Sequence, residues 1–133
     1  MTALFVSAIG YALAALLAAW LLRWLSTRLQ AVPPGFGLAW LLCFGVAWGS
    51  FVAMHLILVV TGAGMVVETV FYVVLPLLLG TAVFGGLVLD ATSGDALGPV
   101  RGAILAVTQF VFFQVLLLVP GFVLLGLVAA VPW

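Results

Sequence analysis

Two ionisable residues stand inside the apolar runs of this chain, His55 and Glu68, on either side of a short turn, Thr61-Gly62-Ala63-Gly64. An imidazole and a carboxylate can carry protons or bind metals, and an ionisable group held inside a membrane is a functional-site candidate by default. At about 1.5 Å of rise per residue, His55 would lie roughly 9 Å, and Glu68 roughly 6 Å, inside the outer end of a helical hairpin. Tyr72 follows Glu68 by one helical turn and could donate a hydrogen bond to it, and Tyr11 falls in the same outer third. His55, Glu68, Tyr72 and Tyr11 are therefore the candidates for a proton- or cation-coupling site. The plainer alternative is structural. At that depth side chains reach headgroups or water at modest cost, and a His–Glu hydrogen bond would simply pin the hairpin.

His55 also has the chemistry of an axial ligand. Its helical face reads Leu41, Phe44, Trp48, Phe51, His55, and a flat macrocycle needs an axial nitrogen with apolar or aromatic walls. Haem iron or a chlorophyll-type magnesium would fit that description, although an aromatic stripe serves packing or lipid contact equally well. A bis-histidine haem needs two histidines and the chain has one, so a second copy or a partner would supply the other. No zinc or copper site is expected, because His55, Glu68 and the distant Cys43 do not form a normal ligand set.

The elements that position these groups follow from composition. Hydrophobic residues make up 68% of the chain and charged residues 5%, whereas a soluble domain carries roughly 25% charged residues. The chain must be solvated by lipid. A spanning helix takes about 20 residues, so the 133 residues are used up by four spans and short connections. Barrel strands would alternate in segments of about ten residues, and these runs are too long and too uniformly apolar. The expected fold is an all-α integral membrane protein of four antiparallel transmembrane helices. The spans are read at about 3–22, 38–60, 65–89 and 102–131, forming one domain. Pro76 is expected to kink the third span, and Pro120 to kink the fourth or end it early.

Three arginines set the expected orientation. Arg23 and Arg28 fall in the first connection, 23–37, and Arg101 in the third, 90–101, while the second connection and both termini carry no Arg or Lys. The excess of positive charge on cytoplasmic loops puts both basic connections inside and both termini outside. Trp20, Trp24 and Trp40 then fall near the inner interface and Trp133 near the outer one, as aromatic belts require. No basic segment precedes the first run, so it reads as a retained span rather than a secretory signal. The expected location is the plasma (inner) membrane of a bacterium or archaeon, the source being suggested by the richness in Ala, Gly, Val, Leu and Trp.

Other residues read as packing. Gly45, Gly49 and Ala53 recur at four-residue intervals, which lets helix backbones approach closely, within the chain or between chains. Thr108, Gln109, Gln114 and Ser50 offer interhelical hydrogen bonds. Asp90 to Pro99 reads as a turn and a helix entry. The single cysteine cannot form an internal disulfide, no basic stripe for nucleic acid is present, and no enzyme signature appears. Two function classes remain. One is a small non-catalytic subunit of a larger membrane complex, holding a pigment or haem through His55. The other is a small proton- or cation-coupled transporter or channel, acting as a homo-oligomer with Glu68 and His55 as coupling site. The expected partners are the bilayer and either other membrane subunits or copies of the chain itself.

Overall fold

The computed structural model describes the backbone of residues 2–62 and 64–129 and the side chains of residues 8–62, 64 and 66–116. Four helices follow one another: α1 (Thr2–Arg28), α2 (Phe36–Thr61), α3 (Met65–Leu87) and α4 (Pro99–Ala129). All four are long and apolar enough to cross a membrane, and among the described residues there is no strand, only two isolated bridges. The helices pack in a ring, α1 on α2, α2 on α3, α3 on α4 and α4 on α1.

Local chemistry sets the helix ends. Gly62 closes α2 in the left-handed conformation, φ 61°, and its N–H donates to the Leu58 carbonyl at 2.9 Å, a backbone shape that a glycine adopts without steric cost. Pro99 opens α4, where its missing N–H leaves no helical bond unmade. One expected boundary moves. α1 continues past Leu22 to Arg28, so Arg23 and Arg28 ride on its last turns rather than in a loop. A long, flexible guanidinium can reach an interface from a helix end. α4 runs through Pro120 to Ala129, close to the expected end of the fourth span. Trp133 lies outside the described residues.

Packing is uneven along the bundle. Leu22, Ser26, Val88, Leu97, Leu105 and Phe84 are buried, all near the end where the first and third connections meet. There the main chain bonds across: the Val32 N–H donates to the Leu89 carbonyl at 2.8 Å and the Ala91 N–H to the Gln30 carbonyl at 2.9 Å. α3 and α4 touch most closely through glycines. A Cβ on Gly102 would stand 2.6 Å from the Gly85 backbone, and one on Gly80 would stand 2.8 Å from Ala106 Cβ. At Gly45 and Gly49 an added Cβ would meet nothing within 4 Å, so within the chain the close approach is made at a different helix pair from the one the Gly45–Gly49–Ala53 spacing suggested. Toward the Thr61–Gly64 turn burial falls away, with Val59 at 83% and Val66 at 78% exposure.

Candidate functional site

His55 projects from α2 as an exposed side chain, and its surroundings fix its chemistry. Nδ1 lies 2.9 Å from the Phe51 carbonyl oxygen one turn earlier. A carbonyl only accepts, so Nδ1 is the donor, and the tautomer with its proton there would leave the Nε2 lone pair for a ligand. A backbone carbonyl holding the far nitrogen in this way is the common support of a metal-bound histidine. The ring also lies 4.1 Å, centroid to centroid, from Phe51.

Below it runs a continuous aromatic ladder. Phe51 lies 5.4 Å from Trp48, Trp48 6.4 Å from Phe44, and Phe44 5.5 Å from Trp40, the last pair only 3° from parallel. The helical spacing of these residues puts them on one face. Leu41, expected in this stripe, is exposed beside it. Trp40 does more than mark an interface: its indole Nε1 donates to the Ala12 carbonyl of α1 at 2.9 Å.

Glu68 lies in the first turn of α3 and is exposed. A carboxylate is favoured at that position by the partial positive charge of a helix N-terminus, which accounts for its placement with no ion pair among the described residues. Among the described residues the one ion pair joins Arg101 to Asp90, so His55 and Glu68 are not brought into a pair. Tyr72 turns away from Glu68 as well, and its hydroxyl donates to Gln114 Oε1 on α4 at 3.2 Å. Tyr11 packs on Phe51 at 5.5 Å, Trp48 at 6.1 Å and Phe113 at 6.5 Å. The four expected site residues thus divide: Tyr11 and His55 share Phe51, Tyr72 joins α4, and Glu68 stands apart.

Between the four helices lies a small hollow with a cavity volume of about 50 Å³, open at its mouth. Tyr11, Ser50, Tyr72, Gln109 and Gln114 place polar groups on its wall, and Phe51, Phe71, Phe84, Phe110 and Phe113 supply rings. Ser50 Oγ is engaged with the Val46 carbonyl at 2.5 Å. Gln109 is 4% exposed; its Nε2 donates to the Ala18 carbonyl at 3.0 Å, while Oε1 is buried with no partner among the described residues. A buried acceptor left unpaired costs about 1–3 kcal/mol. Ser50, Gln109 and Gln114 are all expected to bond between helices, but nothing in spacing distinguishes Gln109, which anchors α4 to α1, from its polar neighbours.

The third connection is a turn built on Asp90. Its carboxylate accepts from the Thr92 hydroxyl, from the Thr92 N–H at 2.8 Å, from the Ser93 N–H at 3.3 Å and from Arg101. Those donors, the Thr92 hydroxyl foremost, hold the carboxyl down at about 2. Among the described residues no three potential metal ligands cluster. Comparison with known proteins adds no relative: no family model, curated protein or solved structure matches the chain.

Proposed function

We propose that this chain is a small non-catalytic subunit of a larger membrane complex and that His55 presents its Nε2 to a ligand outside the bundle. The observation that carries this reading is the Nδ1 contact with the Phe51 carbonyl. It turns the one histidine into a preset ligand, held on an exposed face beside an aromatic ladder. The iron of a haem or the magnesium of a chlorophyll-type pigment would suit that donor, and a partner chain would supply any further ligand. When bound, such a group would supply light absorption or electron transfer.

The rest of the molecule agrees with a subunit role. Large apolar side chains on all four helices are exposed, and lipid or neighbouring chains must cover them. The open strip along Gly45, Gly49 and Ala53 would admit a close-packed helix from a neighbour. The helices run antiparallel with both termini outside, in a plasma (inner) membrane. Supporting this, Arg23 and Arg28 on the last turns of α1 and Arg101 on the first turn of α4 flank the connections that pair through residues 30–32 and 89–91. Trp20 and Trp24, both exposed, lie at the same end of α1, and the Arg28 guanidinium sits 5.2 Å over the Trp24 ring.

The test is native mass spectrometry of the chain extracted from its own membrane in mild detergent, with a visible spectrum of the same sample. The expected result is co-purifying subunits and an absorption band that His55→Leu removes. A colourless homo-oligomer would reject the proposal. It would favour the second reading, a homo-oligomeric proton- or cation-coupled transporter, which rests on Glu68 being exposed and outside any ion pair among the described residues. In that case Glu68→Gln should abolish proton-coupled flux in liposomes.

A further inference from the structure

The end of the molecule away from His55 carries a notch on the last turns of α1. Trp20, Arg23, Trp24 and Thr27 share one helical face by their spacing of three and four residues, and Pro33 of the first connection completes the wall. Together they bound an open notch of about 280 Å³. We propose that this notch binds the phosphate of one anionic phospholipid, with Arg23 as its charged contact.

Charge sets the sign of the occupant. Arg23 is exposed and takes part in no ion pair among the described residues, where the one pair joins Arg101 to Asp90. No acidic side chain lines the notch. A guanidinium offers a fork of N–H donors that matches phosphate oxygens two at a time. Thr27 adds no donor, because its hydroxyl already donates to the Trp24 carbonyl at 2.6 Å. A choline group would be drawn to an open aromatic face, but the Trp24 ring already carries the Arg28 guanidinium at 5.2 Å. Two cations thus stand at the notch, and a headgroup of net negative charge complements them.

Size and surroundings select a lipid over a free anion. A water molecule takes up about 30 Å³ in the liquid, so the notch has room for a headgroup of several heavy atoms. Leu13, Leu16 and Leu17, all exposed, continue the same side of α1 into its apolar span. They offer acyl chains a track that leads from the notch, and inorganic phosphate has no apolar part to lay on it.

Native mass spectrometry of the full chain in maltoside micelles tests this, with phosphatidylglycerol and phosphatidylcholine of matched acyl chains added in equal amounts. The first bound lipid should be phosphatidylglycerol by about 5-fold, the contribution of one arginine near an anionic surface. Arg23→Gln should erase the preference, and Arg23→Lys, which keeps the charge, should retain part of it. Arg101→Gln removes the same charge from the same end, but from a group already paired with Asp90, and should leave the preference in place. His55→Leu should also leave it in place, so failure here is distinguishable from failure of the subunit reading. Inorganic phosphate at millimolar concentration should not displace the lipid. Equal binding of the two lipids or displacement by inorganic phosphate would overturn the proposal. So would a preference that survives Arg23→Gln, or one lost equally to Arg101→Gln, in variants with unchanged helical circular dichroism.

Discussion

At the end of the bundle that holds Leu22, Ser26, Val88 and Leu97, side chains are buried and the two connecting segments bond to each other through the main chain. At the far end of α2 the pattern reverses. From His55 to Val70 every described residue except Ile57 and Leu58 is exposed. The first end also leaves apolar side chains exposed, Trp20, Leu87 and Val100 among them, but they surround a buried centre. The second is lined with large apolar groups and carries both His55 and Glu68. The contrast separates two tasks within one small protein: the packed end holds the helices in register, and the open end is available to a pigment, a neighbour or lipid.

Substitutions at the two ends should therefore differ in cost, and reversible unfolding in mixed micelles of mild detergent and dodecyl sulfate can measure the difference. The largest effect is expected for Phe84→Ala, which empties a fully buried position and should lower stability by about 3–5 kcal/mol. Val66→Ala at the open end should stay within about 0.5 kcal/mol. Equal losses would erase the contrast. Next comes Gly102→Ala, whose new Cβ would strike the Gly85 backbone and force α3 from α4 at about 1–3 kcal/mol. Gly45→Ala, which meets open space, should cost nothing measurable. If Gly45→Ala instead broke up the native complex while leaving the isolated chain stable, the open strip of α2 would be marked as an interface.

Smaller effects sharpen the picture. Trp40→Phe keeps the stack on Phe44 and loses the bond to the Ala12 carbonyl, for an expected cost of about 0.6–2 kcal/mol. The least effect belongs to Asp90, whose contribution is present at neutral pH and is lost only in acid. Its carboxyl is held at about 2 by Thr92, Ser93 and Arg101, below the value of about 3.9 of a free aspartate. A depressed carboxyl stabilises the fold fully above about pH 4, and that contribution fades as the pH falls toward 2. An acid titration of unfolding should show a small decline over this window. Asp90→Asn should flatten it; an unchanged curve would remove Asp90 from the packed end's support.

The existence of the four helices could be read from hydropathy, because in lipid a long apolar run has few alternatives to a helix. The connections were harder. Arg23 and Arg28 suggested a loop after Leu22, yet a helix end tolerates charges that reach outward. Small-residue spacing showed that close packing was available but not where. Gly45, Gly49 and Ala53 carry the regular pattern, while Gly80, Gly85 and Gly102, on two different helices, make the contact. The site was visible as a set of residue types and not as an arrangement. Placing His55 and Glu68 at similar depth said nothing about the direction in which each side chain leaves its helix. Gln109 and Gln114, five residues apart, looked equivalent until burial separated a buried anchor from a half-buried partner of Tyr72.

The bonds between residues 30–32 and 89–91 use main-chain N–H and carbonyl groups, with Val32 and Ala91 as donors. Such a join reads no side-chain letter at those two positions, so mutation can rewrite them freely and leave the bonds in place. Proline alone is barred there, having no N–H to give. Over evolutionary time positions 32 and 91 can therefore drift through almost any residue, and the two connections would still meet there in the same way.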